Sequence, residues 1–226
     1  MPAMGTLYLV RHGQASFGAE DYDQLSELGH RQCVALGQYW RARGLKFDAV
    51  LTGSLKRHAQ SFTGIAEGLG EVPQPLVWPG LNEYDSHAVI GAIHPEPLKK
   101  PADAEEYRHH FRLLREGLQA WIRGATQPAG MPSYAEFSAG IAGALDHVRQ
   151  HHHGGSVLIV SSGGPISTAV GQVLHTPPDT TIELNLRIRN SAVTEFAFTP
   201  KRHMLVTYNT LPHLDSVEGA AMVSYS

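Results

Sequence analysis

The stretch Ser156-Val157-Leu158-Ile159-Val160, followed by Ser161-Ser162-Gly163-Gly164-Pro165, is the clearest strand-to-turn signal in the chain. Four consecutive apolar residues, mostly β-branched, read as a strand buried on both faces, the kind found in parallel sheets. The polar and glycine residues after it form a loop, and Pro165 suits the first turn of a helix. The same grammar occurs twice earlier. Leu7-Tyr8-Leu9-Val10 runs into Arg11-His12-Gly13, and a helical pattern follows Ser26 through Val34, Leu36, Tyr39 and Trp40 to a stop at Gly44. Asp48-Ala49-Val50-Leu51-Thr52 turns at Gly53-Ser54 into a helix from about Leu55 to Leu69.

Three strand-to-helix alternations predict an α/β fold, a three-layer α/β/α sandwich around a mainly parallel sheet. Ligands in such sheets sit at the carboxyl ends of the strands, where all three polar clusters fall. Residues 73–101 are proline-rich and irregular, with a short strand at Leu76-Val77-Trp78, and helical stretches follow near Ala104 to Arg123 and Tyr134 to His151. The expectation is a single domain over residues 1–226 with a helical cap inserted at about 83–150. Ile182 to Arg189, Ala192 to Phe198 and His203 to Tyr208 alternate as late strands, and the first offers an edge through which a homo-oligomer would pair.

Bulk properties narrow the function classes. The 226 residues carry a net charge of −3 with 42% hydrophobic and 17% charged residues, so nothing marks the chain as a nucleic-acid binder. No run of about 18 apolar residues predicts a membrane span, and no basic segment before a long apolar one predicts a signal peptide. The lone Cys33 fits a reducing cytosol and lies in an apolar helical pattern that reads as core. These features point to a cytoplasmic protein. His151-His152-His153 reads as solvated linker rather than a metal site, and neither metal nor cofactor is expected.

Two clusters carry chemistry. An imidazole at a strand end becomes a nucleophile when its tautomer is fixed and a cation neutralises what it attacks, which gives His12 its candidacy. Arg11 supplies a planar fork for phosphate oxygens, and Gly13 lets backbone amides approach an anion. In Ser54-Leu55-Lys56-Arg57, Arg57 falls in the first turn of a helix whose N-terminus favours an anion. Only one of Lys56 and Arg57 can face the pocket, because consecutive helical positions point about 100° apart.

Together these segments resemble the histidine phosphatase superfamily, the phosphoglycerate mutase-like proteins. The matching features are Leu9 to Gln14, Leu25-Ser26 with Gly29 and Gln32, Ser54 to Arg57, Leu81-Asn82-Glu83, Ser156 to Gly164 and Asn209 to Leu214. The resemblance implies that His12 becomes phosphohistidine and that Arg11 and Arg57 hold the phosphoryl group. It also implies that Glu83 protonates the leaving oxygen, with Asp85 as the nearby rival. One position departs from the pattern. Where the family carries a second pocket histidine this chain has Ser162, which offers a hydroxyl but no positive charge, followed by Gly163 and Gly164, whose backbone amides are expected to face the anion at a helix start. The resemblance therefore implies a metal-independent phosphomonoester hydrolase acting on a small phosphorylated molecule or a phosphoprotein. A phosphoglycerate mutase and a weakened phospho-ligand binding or regulatory protein are the alternatives. If Ser162 marks a weakened pocket, Ser162→His should raise turnover.

Overall fold

A computed structural model describes residues 4–16, 23–96, 98 and 103–225. Six strands form one sheet in the order β3-β2-β4-β1-β5-β6: β1 Gly5–Arg11, β2 Ala49–Thr52, β3 Leu76–Val77, β4 Ser156–Ser161, β5 Val193–Phe198 and β6 His203–Thr210. Strands β3, β2, β4 and β1 pair in parallel, whereas β5 pairs antiparallel with both β1 and β6. The sheet is thus mainly parallel, as its apolar runs predict.

The alternation of side chains along β1 and β4 builds the layers. Leu7, Leu9, Val157 and Ile159 enter one apolar cluster, and Val10, Leu158 and Val160 enter the other. The smaller cluster is completed by α1 (Glu27–Ala42) and α2 (Lys56–Leu69) through Cys33, Leu36, Trp40 and Ile65. On the opposite face lie α5 (Tyr134–His151) and α6 (Gly163–Leu174), joined in the larger cluster by α4 (Ala104–Ile122). The stretch read as a cap therefore shares its apolar face with the sheet core through Leu118, Trp121, Ile141 and Val148. The short α3 (Ser86–Gly91) also belongs to this stretch. No helix among the described residues is long and apolar enough to cross a membrane.

Capping follows the sequence. Ser26 accepts from the Gly29 amide at the start of α1, Gly44 takes φ +67° just past its end, and Ser133 with Glu136 forms a capping box on α5. One expected element is different. Ile182 to Arg189 does not form a strand, because residues Pro178–Arg187 are a helix, α7. The spacing of Ile182, Leu184, Leu186 and Ile188 imitates a strand, but Pro178 presets the first helical turn and Thr181 and Ile182 bury together. Side-chain bonds fix α7 in place, from Tyr208 Oη to the Leu184 carbonyl and from Asn185 Nδ2 to Tyr84 Oη. The sheet edge that this segment would have offered to a second copy does not exist.

Helices α1 and α2 approach closely because two glycines meet backbone. A Cβ at Gly37 would lie 2.1 Å from the Ile65 carbonyl oxygen, and one at Gly68 would lie 2.2 Å from that of Val34. Overpacking of this kind costs about 1–3 kcal/mol. Gly37→Ala is expected to lower the melting temperature by about 2–4 °C per kcal/mol lost, measured by thermal unfolding. An unchanged melting temperature would show that the helices separate freely at this crossing.

Candidate active site

The carboxyl ends of the four parallel strands converge. β1 delivers Arg11 and His12, β2 leads through Gly53 to Arg57 in the first turn of α2, and β4 ends at Ser161 before Ser162. A 3-10 turn, Pro79–Leu81, follows β3 and brings in Glu83. Arg11 and Arg57 both lie close enough to act electrostatically on His12 and on Glu83, so the four groups form one cluster.

His12 is 3% exposed and held on every side. Its amide donates to the Ser161 carbonyl at 2.9 Å, and its carbonyl accepts from the Ser191 amide at 3.1 Å. The ring nitrogen Nδ1 lies 2.7 Å from the Gly13 carbonyl oxygen. A carbonyl only accepts, so the proton sits on Nδ1 and Nε2 carries the lone pair. Burial drives the His12 pKa well below its ordinary value, with Arg11, Arg57 and His58 adding in the same direction. Two like charges about 6 Å apart at an effective dielectric constant of about 20 repel by roughly 3 kcal/mol, so the ring stays neutral beside two arginines.

The arginines are positioned by backbone and by Asp23. Arg11 Nη1 donates to the carbonyls of Ile188 (2.5 Å) and Tyr225 (3.0 Å), which ties the pocket to the C-terminal segment. Arg57 is 8% exposed and its Nη1 pairs with Asp23 Oδ1 at 2.8 Å. Leu55 has no side chain to cap α2, and the other oxygen of Asp23 accepts the Lys56 amide at 2.9 Å instead. Lys56 itself is exposed.

Glu83 is half-buried and accepts the Gly164 amide at 3.1 and 3.2 Å and the Tyr84 amide at 3.2 Å. Burial raises its pKa, opposed by those amides and the two arginines. A Cβ at Gly164 would lie 2.2 Å from Glu83 Oε1, so the carboxylate can dock at the start of α6 only against a glycine. Asp85 is exposed and occupied as the N-cap of α3, accepting the His87 and Ala88 amides. Of the two carboxylates, Glu83 is the one that Arg11 and Arg57 act on, whereas Asp85 is engaged by its own helix.

Three other predicted residues have different surroundings from those expected. The Gly13 amide already donates to Ser61 Oγ at 3.1 Å, and a Cβ there would lie 2.3 Å from the Gly29 carbonyl oxygen. Gly13 therefore serves close backbone packing. Ser162 is fully buried with Oγ 2.7 Å from His58 Nε2, and Gly163 opens α6 beside Asn185. The imidazole of His58 occupies the space beside the Ser162 hydroxyl, so a histidine at 162 would have to displace it. Sequence reading missed Asp23 and His58. Asp23 is distant in sequence from its partners, and His58 has the pattern of a helix-surface residue beside Lys56. His151 of the histidine tract stacks on His147, and His213 Nε2 bonds Ser191 Oγ at 2.9 Å behind the pocket.

The model of the histidine phosphatase superfamily (branch 1) matches residues 7–211. The chain belongs to this superfamily. The family member is 30% identical to a 2,3-bisphosphoglycerate-dependent phosphoglycerate mutase of Mesorhizobium japonicum, over 73% of this chain and 79% of that one. It is 29% identical to a probable phosphoglycerate mutase, GpmB, of Cronobacter sakazakii, over 97% and 94% of the two chains. Among solved structures, a mutant phosphoserine phosphatase from Entamoeba histolytica, in complex with phosphoserine, superposes with a TM-score of 0.65 at 18% identity. That match covers 93% of this chain and 99% of the other, and it speaks for a shared fold.

The contrast between neighbouring cations is testable. Arg57→Ala should weaken vanadate inhibition by about 1.5–3 kcal/mol, roughly ten- to a hundredfold, because charge-assisted bonds to a buried anion have that size. Lys56→Ala should change it by less than about twofold. Equal losses would place the anion elsewhere.

Proposed function

We propose that the protein is a phosphomonoester hydrolase that works through a phosphohistidine on His12 and needs no metal. The observation that carries this reading is the Nδ1 bond of His12 to the Gly13 carbonyl, which leaves the lone pair on Nε2 of a ring that Arg11 and Arg57 both act on. Nε2 attacks phosphorus, the P–N bond forms and the ester P–O bond breaks in line, while the arginines balance charge on the phosphoryl oxygens. The carboxyl of Glu83 gives its proton to the departing alkoxide, a transfer helped by its raised pKa. Water then attacks the phosphohistidine, Glu83 takes the water proton, and inorganic phosphate leaves with His12 restored.

A second reading has a specific basis in the curated relatives, whose names are those of phosphoglycerate mutases. In a mutase the same phosphohistidine passes its group to a substrate hydroxyl instead of to water. The substrate expected here is a small phosphorylated molecule or a phosphoprotein, handled in the cytoplasm.

Hydrolysis of p-nitrophenyl phosphate in the presence of EDTA tests the proposal. Turnover that persists with the chelator and vanishes in His12→Ala supports it, whereas turnover retained by His12→Ala refutes it. Conversion of 3-phosphoglycerate to its isomer faster than its hydrolysis would select the mutase.

The role of Glu83 has its own signature. Glu83→Gln should slow hydrolysis of an alkyl phosphate by about 10²–10⁴, the usual range for a lost general acid. It should slow p-nitrophenyl phosphate much less, because that leaving group departs without a proton. Asp85→Asn should spare both. Equal sensitivity of the two substrates to Glu83→Gln would remove Glu83 from proton transfer.

A further inference from the structure

His58 is the third residue of α2 and is completely buried, with its ring centroid 5.9 Å from that of His12. Its Nε2 lies 2.7 Å from Ser162 Oγ, and Ser162 is completely buried as well. Ser162 stands beside the nucleophile. Arg11 and Ser161 are register partners of the parallel strands β1 and β4, so His12 and Ser162 are the next residues along the two chains. The serine also holds the N-cap position of α6, with φ −122° and ψ 174°, yet makes no side-chain cap bond. Glu83 takes the Gly164 amide instead, and the Ser162 hydroxyl turns to His58.

Which partner donates follows from the other ring nitrogen. His58 Nδ1 is buried and has no hydrogen-bond partner among the described residues. It backs onto the Gly53 main chain, where a Cβ would lie only 2.2 Å away. A proton on Nδ1 would be a buried, orphaned N–H directed at backbone, which native structures rarely tolerate. Burial and the adjacent Arg57 push the His58 pKa down to about 3, so the ring is neutral and carries one proton. That proton belongs on Nε2, where it points at Ser162 Oγ. The hydroxyl hydrogen of Ser162 must then turn elsewhere. Among the described residues Ser162 Oγ has no second hydrogen-bond partner, and the ring of His12 lies next to that of His58, its one partner.

We propose that His58 and Ser162 form a relay in which His58 Nε2–H fixes the serine rotamer and the Ser162 hydroxyl donates to an oxygen of the transferring phosphoryl group. Ser162 is then a catalytic contact and His58 a positioning residue that acts through it. The proposal rests on the phosphoryl-transfer reading of the site. A pre-aimed donor costs no reorganisation during the reaction, and losing one typically slows an enzyme by about 10²–10³.

The test is a double-mutant cycle read as kcat, KM and vanadate inhibition. Ser162→Ala and His58→Leu should each lower kcat by about tenfold to a hundredfold with little change in KM. The double variant should be no slower than the slower single one, because the two residues make one interaction. His58→Gln should recover most of the activity, since its amide N–H reaches the place of Nε2. His58→Asn, whose side chain is shorter by one methylene, should recover little. Additive losses, or equal activity in the Gln, Asn and Leu variants, would overturn the relay and leave His58 as core packing. If His58→Leu does not fold, nitrogen-15 NMR of the wild-type protein decides: a proton on His58 Nε2 is expected, and a proton on Nδ1 refutes the relay. Turnover that depends on His12 while the cycle is additive removes the relay alone. Vanadate affinity that follows the cycle without wild-type turnover removes the hydrolase alone, and a wild-type protein that neither turns over nor binds vanadate overturns both.

Discussion

The parallel pairing of β1 with β4 in the register Arg11 to Ser161 is the constraint on which the site depends. It sets His12 beside Ser162 and lets the His12 amide close on the Ser161 carbonyl. A slip of one residue would turn Leu7, Leu9, Val157 and Ile159 out of one apolar cluster and into the other. Both faces of these strands are buried, so each cluster rejects the slip. The geometry of the candidate site is therefore fixed by packing on two sides of the sheet.

On this frame the proposed chemistry depends on keeping a buried imidazole neutral among cations. Desolvation and the fields of Arg11 and Arg57 both disfavour the protonated ring, and the Gly13 carbonyl decides which nitrogen is left bare. The arginines in turn are not isolated charges. Asp23 holds Arg57, and the Ile188 and Tyr225 carbonyls hold Arg11. Glu83 completes the balance because one carboxyl is docked on a helix N-terminus that favours its anion while burial favours its acid. A group balanced in this way suits alternate loss and gain of a proton.

Much of this arrangement is legible in the residues. Apolar runs at Leu7 to Val10 and Ser156 to Val160, each ending in a polar turn, predict the parallel sheet, and the position of His12 after the first run makes it a candidate nucleophile. The Ile182 to Arg189 segment misleads because a period of two in Ile, Leu and Leu is compatible with a helix whose other neighbours are partly buried. Asp23 and His58 are illegible for another reason. Their roles arise from contacts across 34 and 104 positions of sequence, and residue spacing carries no signal for such pairs. Ser162 is legible only as an anomaly, a hydroxyl where the resemblance implies an imidazole, and the tertiary structure supplies an imidazole there from a different helix.

The proposed chemistry turns on one atom, Nε2 of His12. Rapid quenching of the nitrogen-15-labelled protein during turnover of a phosphomonoester, followed by nitrogen–phosphorus correlation, locates the transferred group directly. The expected result is an acid-labile, base-stable phosphoryl group bonded to Nε2 of His12. A phosphoryl group on Nδ1, on His58 or on the oxygen of Ser162 would contradict it.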